Sequence, residues 1–313
     1  DVGAHWITNN KTNPYVHYWK ENNIKELNLY EEKEPYTVYD GKKELISPED
    51  EPLWDEYNSI INDISNSKNK DIAPSEAISN KSSEWYNTAH LIIGPYDMAK
   101  DFNHFSCKDW WNYFEPETKN WFCSEGYGTL VKRRWKEVPV QFNTSAQKIT
   151  WGGKGVQVET NKGTISSKAC ILTVSTGILS SGKIQFVPKL PIEKYESFSG
   201  ISMGIYNHIT LQFNQNFFPH NKDGYIYYKL SNKDKNIPRG VAGLTNLSGS
   251  NLSYFDAAGE FARELENSGE KSSIDFVLSE LKSIFGSKIN KHLMKAHATS
   301  WALNPFTLGS YAS

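Results

Sequence analysis

The chain has 313 residues, with 36 acidic against 34 basic side chains and a net charge of −2, so no basic excess points to nucleic acid. Hydrophobic residues make up 38% and aromatic residues 13%, enough for a core and too many for a disordered chain. No apolar run approaches the roughly 18 residues that cross a bilayer as a helix, and Cys107, Cys123 and Cys170 form no CxxC pair, so neither a disulfide framework nor a metal site is expected.

The first residues, Asp1-Val2-Gly3-Ala4-His5-Trp6-Ile7, read as a strand running into a turn, followed by the flat surface of Trp6. Gly3 and Ala4 are small enough for backbone to approach a ligand closely. The expectation is a cofactor-contacting turn in a chain whose true N-terminus lies upstream. Residues 15–30 read as a short extended, hairpin-like stretch with Leu27, Leu29 and Tyr30 apolar. Residues 48–115 read as mostly helical. Ser47-Pro48-Glu49-Asp50 is a helix start, and Trp54, Tyr57, Ile60, Ile61 and Ile64 recur at helical spacing. The polar stretch from Ser65 to Asp71 reads as a loop, with a second helix start near Pro74-Ser75-Glu76. Crowding of Phe102, Phe105, Trp110, Trp111, Tyr113 and Phe114 predicts buried packing.

Glu125-Gly126-Tyr127-Gly128 is a glycine-bracketed turn feeding a short helix to about Trp135. Val138–Phe142 reads as a strand. A meander follows over 146–151, 155–159 and 164–166, with turns at Gly152-Gly153 and Asn161-Lys162-Gly163. The continuous apolar run Ala169-Cys170-Ile171-Leu172-Thr173-Val174 predicts a strand buried on both faces. After Pro188-Lys189-Leu190-Pro191, strands are expected at Ile209–Phe213, Tyr225–Leu230 and Gly240–Asn246, then helices at Ala257–Leu265 and Ser273–Phe285. In the second helix Ile274, Val277, Leu278, Leu281 and Ile284 form one face, and Gly286 is the stop. The fold class expected is α/β, in a mixed α+β form.

Three segments carry a family signature. The first is Asp1–Ile7. The second runs from Glu125–Leu130 through Phe142-Asn143-Thr144, Ile171-Leu172-Thr173-Val174-Ser175-Thr176-Gly177-Ile178-Leu179 and Ile184-Gln185-Phe186 to Pro188-Lys189-Leu190-Pro191. The third is Trp301-x-x-x-Pro305-x-x-x-Gly309-Ser310-Tyr311. In this order they resemble the flavin-containing amine oxidases, a family that includes monoamine and polyamine oxidases. The resemblance implies a two-domain fold in which a Rossmann-like FAD domain interleaves with a substrate domain of mixed sheet and helices. Residues 1–14, 120–187 and 300–313 would belong to the FAD domain, and residues 15–119 and 188–299 to the substrate domain. The sequence contains no G-x-G-x-x-G turn for the pyrophosphate and lacks the family's closing flavin segment, so the fold is expected to be incomplete at both ends and a weak holder of FAD by itself.

The same resemblance assigns candidate residues. Gly3, Ala4, Trp6, Ala146, Thr173, Val174, Ser175 and Trp301 are candidate FAD contacts. His208, Trp301 and Tyr311 are candidate catalytic residues, Trp301 and Tyr311 as walls of an aromatic cage. Ser310 stands where monoamine oxidases carry a flavin-attaching cysteine, which predicts noncovalent FAD. His208 stands where the family usually carries a lysine that holds a water near the flavin. Imidazole titrates near pH ~6.5 rather than ~10.4. Thr8, where polyamine oxidases often place a histidine or glutamate, weakens a polycation reading. On residue type alone Trp301 and Tyr311 are equally core aromatics, His208 a structural strand histidine, His5 a loop histidine, and Thr173–Ser175 strand packing.

The implied activity is FAD-dependent oxidation of an amine carbon, giving imine, then aldehyde or keto acid, with ammonia and hydrogen peroxide. The implied partners are a small-molecule amine or amino acid and molecular oxygen or another electron acceptor. The alternatives are a related flavin dehydrogenase or desaturase, and a non-catalytic protein of the same fold. No metal is expected, and no compartment is legible.

Overall fold

A computed structural model describes residues 3–8, 11–113, 119–231 and 233–312. The strand expected at Asp1-Val2 and the aromatic Phe114 lie outside the described residues. By internal contacts the chain forms two compact units. Unit 1 comprises residues 1–136 and 206–299, and unit 2 comprises residues 137–205 and 300–313.

Unit 1 begins with helix α1 (Pro14–Glu21). This corrects the extended reading of that stretch. Pro14 supplies a preset φ at the first helical position, and the Asn13 side chain accepts the Tyr15 N–H at 2.9 Å. Val16 then drops into a core with Ile7, Ile24, Leu27, Leu29, Cys123 and Leu130. Three strands follow: β1 (Leu29–Glu31), β2 (Tyr36–Asp40) and β3 (Lys43–Leu45). Helices α2 (Glu51–Asn66) and α3 (Pro74–Ala77) begin as the sequence predicts near Pro48 and Pro74, and α4 (Tyr86–Leu91) follows. α4 widens into a buried π turn, Ile92–Tyr96, around Pro95, which lacks an N–H for the regular ladder. Leu53, Ile60 and Ile64 of α2 pack with Tyr86, Ala89, Ile93 and Phe102. α5 (Cys107–Asn112), β4 (Trp121–Cys123) and α6 (Tyr127–Arg134) complete this half, with β4 antiparallel to β1 in the register Tyr30↔Phe122.

Unit 2 carries β5 (Ala146–Thr150), β6 (Val156–Thr160), β7 (Gly163–Ser167), α7 (Thr176–Ser180), β8 (Gln185–Val187) and α8 (Ile192–Gly200). The sheet order is β7-β6-β5-β8, antiparallel except for β5 against β8. The meander is as predicted. Two expected strands are not formed. Val138–Phe142 is irregular, with Val140 60% and Phe142 76% exposed, and Pro139 lacks a ladder N–H. Ala169–Val174 is also irregular, and Ile171 is 90% exposed. A doubly buried strand needs a neighbour on each side, and neither edge of the four-stranded sheet pairs with this run.

The chain re-enters unit 1 with β9 (Tyr206–Phe213), β10 (Gly224–Tyr228), β11 (Ala242–Thr245), β12 (Leu252–Ala258), α9 (Gly259–Ser268), α10 (Glu270–Phe285) and β13 (Leu293–Ala298). These strands build a seven-stranded sheet of order β13-β9-β12-β11-β10-β2-β3, in which only β10 against β2 is parallel. The helix expected from Ala257 starts at Gly259, because Ala257 and Ala258 end β12 in register with Asn207 and Tyr206. Val277, Leu281 and Ile284 of α10 are buried as predicted, and Gly286 closes it at φ 82°. No helix among the described residues is long and apolar enough to cross a membrane.

Candidate functional site

The residues with the most chemistry lie on paired strands of unit 1. β9 and β12 run antiparallel in the register His208↔Asp256, so the two side chains stand opposite each other on one sheet face. His208 Nδ1 lies 2.5 Å from Asp256 Oδ1, with the two side chains 7% and 1% exposed. Tyr206, two residues before His208 and so on the same face, donates its hydroxyl to Asp256 Oδ2 at 2.9 Å. The His208 ring stacks on Tyr254 at 4.8 Å between centroids. Its other nitrogen, Nε2, lies 3.3 Å from the Gly3 carbonyl oxygen. The backbone is tied as well: His208 N–H donates to Thr299 Oγ1 at 2.9 Å, and Thr299 N–H donates to His208 O at 3.0 Å. The intervening residue Asn207 faces the other side, where it donates to Glu266 at 2.7 Å.

Gly3–Trp6 lies against this pair. His5 is buried, 3.7 Å from Trp6, 5.2 Å from His208 and 5.0 Å from Tyr254 between ring centroids. The Gly3 carbonyl is nearby, yet neither His5 ring nitrogen makes a hydrogen bond with a described residue. Burial, and then the positive His208, pull the His5 pKa down to about 3. His208 moves the other way. Burial alone would lower it, but the Asp256 carboxylate and their shared hydrogen bond raise it above the usual imidazole value.

Trp6 connects this pair to a second buried acid. Its indole Nε1–H donates to Glu32 Oε1 at 3.4 Å, and the Tyr225 hydroxyl donates to the same oxygen. Glu32 is 1% exposed, and burial raises its pKa against the opposing pull of those hydrogen bonds. Phe122, Tyr225 and Leu244 form an apolar cluster here, with Trp6, Tyr30, Tyr96 and Tyr227 packed on it.

The remaining candidates lie in unit 2. Ala146 opens β5. Ser175 caps α7, accepting the Ile178 N–H at 3.2 Å and donating to the Thr307 carbonyl. Thr173 is exposed and Val174 half-buried. The segment from Trp301 to Tyr311 is held by local bonds. The Trp301 carbonyl accepts from Gly309 N–H at 3.0 Å and Thr307 Oγ1–H at 2.6 Å, and Gly204 pairs with both Ser310 and Tyr311 through its backbone. Tyr311 is half exposed. Thus Gly3, Trp6 and His208 are brought together in unit 1, whereas Ser175 meets the 301–311 segment in unit 2.

Sequence reasoning missed Asp256, Tyr206, Tyr254 and Glu32. A signal for Asp256 was present: an acid inside the apolar run Tyr254-Phe255-Asp256-Ala257-Ala258 needs a partner.

The architecture matches that of solved structures. A putrescine oxidase solved with putrescine bound superposes with a TM-score of 0.73 over 99% of this chain and 76% of that one, at 14% identity, a likeness of fold alone. The model of the family described as flavin containing amine oxidoreductase matches residues 1–313, and the chain belongs to that family. Among curated relatives, polyamine oxidase 4 of Oryza sativa subsp. japonica is 28% identical over 221 residues, 69% of this chain and 43% of the relative. Lysine-specific histone demethylase 1 homolog 1 of the same plant is 29% identical over 194 residues, 61% of this chain and 23% of the relative. The chain therefore spans less than half the length of these two relatives.

The family implies a flavin. The residues present fit one. The buried, unpartnered His5 nitrogens, the exposed Ala4 beside the half-buried Gly3, and the flat Trp6 offer polar atoms and close backbone approach to a planar polar group.

Proposed function

We propose that the whole protein oxidises the carbon–nitrogen bond of a small amine with noncovalently held FAD. The observation that carries this reading is the buried His208–Asp256 pair set against Gly3–Trp6 within a chain of this family. The bound flavin supplies a two-electron acceptor for hydride leaving the amine-bearing carbon. Gly3, Ala4, Trp6, Ala146, Thr173, Val174, Ser175 and Trp301 are the proposed FAD contacts. Ser310, a hydroxyl rather than a thiol, leaves the attachment noncovalent. Domain roles are part of the proposal, with 1–14, 120–187 and 300–313 on the FAD side and 15–119 and 188–299 on the substrate side. Most of the second and all of the third FAD-side segments fall in unit 2, while 1–14 and 120–136 pack within unit 1.

His208 has one task in this scheme: to place positive charge near the site. Positive charge disfavours a bound ammonium and favours the neutral amine, whose lone pair supports hydride departure. Tyr311 and Trp301 supply amine-tolerant aromatic surface. The oxidised substrate hydrolyses to an aldehyde or keto acid with release of ammonia, and reoxidation by oxygen yields hydrogen peroxide. The relatives include polyamine oxidases and a putrescine oxidase, so di- and polyamines belong in the substrate panel alongside monoamines and amino acids. Thr8 argues for the shorter, less charged members. A reading with another electron acceptor is favoured by one observation, the imidazole at position 208.

The test is the absorbance spectrum of the purified whole protein, followed by addition of each amine under nitrogen. Flavin bands that bleach with one amine class support the proposal, and a folded but colourless protein overturns it. Faster reoxidation by oxygen in His208→Lys supports the placement of His208 at the reactive face, and an unchanged rate argues against it.

A further inference from the structure

We propose that Asp256 is the positioning residue of this site: it holds His208 as a fixed imidazolium, with the Nε2–H directed at the Gly3 backbone. The argument is one of donors and acceptors. His208 Nδ1 faces a carboxylate oxygen at 2.5 Å and Nε2 faces a carbonyl oxygen at 3.3 Å. Both partners only accept, so both ring nitrogens carry hydrogen, and an imidazole with two N–H groups is the cation. The second Asp256 oxygen accepts the Tyr206 hydroxyl at 2.9 Å, so both carboxylate oxygens face donors. A buried carboxylate receiving donors on both oxygens, opposite a buried imidazole, is satisfied as an ion pair.

The surroundings agree with a cation. The Tyr254 ring stacks on His208 at 4.8 Å and 26°, a face that favours positive charge. The titratable groups facing the ring are Asp256 and Tyr254 from β12, Tyr206 from its own strand and His5 from the N-terminal segment. His5 is left neutral beside a cation, buried with it. The strand register sets the geometry, so the charge does not swing as it would on a flexible lysine stem.

The consequence deepens the proposed function and rests on it: at neutral pH the site presents a fixed positive charge beside the Gly3–Ala4 backbone, suited to an electron-rich group and to an amine bound without its proton. Asp256 touches neither substrate nor cofactor in this scheme. It acts through His208.

The test is nitrogen NMR of the whole flavin-loaded protein carrying labelled histidine, with the His208 signals assigned by their loss in His208→Gln. Two protonated ring nitrogens at neutral pH, with a titration midpoint above the free value of ~6.5, are expected. Asp256→Asn should move that midpoint down by ~1–3 units, and Asp256→Glu should recover part of the shift. A neutral His208 in the unmutated protein near pH ~7 overturns the proposal and requires no variant to fold. An Asp256→Asn protein with an unmoved midpoint overturns it too. Amine-dependent bleaching is scored separately: protonated His208 without bleaching sinks the oxidase reading and leaves the ion pair standing, and bleaching with a neutral His208 does the reverse.

Discussion

Asp101 caps a helix that begins at Gly259, across 159 positions of sequence: its Oδ2 accepts the Glu260 N–H at 2.7 Å. Gly259 has φ +68°, and a Cβ built there would lie 2.6 Å from that same oxygen. The helix N-terminus and the carboxylate are thus in contact only because position 259 has no side chain. Gly259→Ala is expected to destabilise the protein by ~2–4 kcal/mol, combining left-handed strain with displacement of the cap. Denaturant midpoints measure it; a change within experimental scatter would refute the account.

Asp101 also titrates unusually. Burial, opposed by the Glu260 N–H, raises its pKa to about 6, and its Oδ1 has no hydrogen-bond partner among the described residues. The folded state therefore binds this proton more tightly than the unfolded chain. The stabilisation is complete below the unfolded value of ~3.9 and is lost as pH rises through about 6. Its full size is at most ~3 kcal/mol. Asp101→Asn, which can still cap, should remove this slope from the stability profile. An identical slope in the variant would assign it elsewhere.

His90 works in the opposite sense. It is fully buried, stacks on Phe102 at 3.8 Å, and accepts the Phe102 N–H on Nε2. Burial lowers its pKa to about 3, as it does for His5. Stability from such a group is present above ~6.5 and falls as pH drops, by up to ~1.4 kcal/mol per pH unit for each histidine. On acidification these two histidines pull stability down, against the opposite contributions of Asp101, Glu32 and His208. His90→Gln should flatten the loss at the expense of ~1–3 kcal/mol at neutral pH. A variant with the original acid slope would show that His90 is not its source.

Glu32 separates charge from hydrogen bonding. It accepts from Trp6 and Tyr225 while buried at 1% exposure. Glu32→Gln keeps the shape and an acceptor, and is expected to change stability by less than ~1 kcal/mol. Glu32→Ala strands both donors and opens a cavity, for a loss of ~2–4 kcal/mol and a shift in Trp6 emission. Equal losses in the two variants would mean that the carboxylate charge, not its acceptor role, is what the site needs.

How much of this was legible depends on where the information resides. Helix α2 was readable because Trp54, Tyr57, Ile60, Ile61 and Ile64 encode their own period, and the β5–β7 meander because Gly152-Gly153 and Asn161-Lys162-Gly163 mark its turns. α1 was misread because Tyr15, Tyr18 and Trp19 suit a strand as well as a helix, and the deciding cap at Asn13 is a single side chain. The run Ala169–Val174 shows the limit of composition: apolarity predicts a wish for burial, but exposure depends on which strands are alongside. His208 could be singled out from its neighbours in sequence, whereas Asp256, 48 residues on, is tied to it only by the register of β9 against β12.

One feature of the sheet governs how the protein is made. Strand β2 is paired, in parallel, with β10, Tyr36 opposite Tyr225, and the whole of residues 137–205 is synthesised between them. During translation the β2–β3 hairpin must wait with an open edge until β10 emerges, so the seven-stranded sheet closes late. Long-range pairing of this kind slows folding and exposes strand edges to other nascent chains.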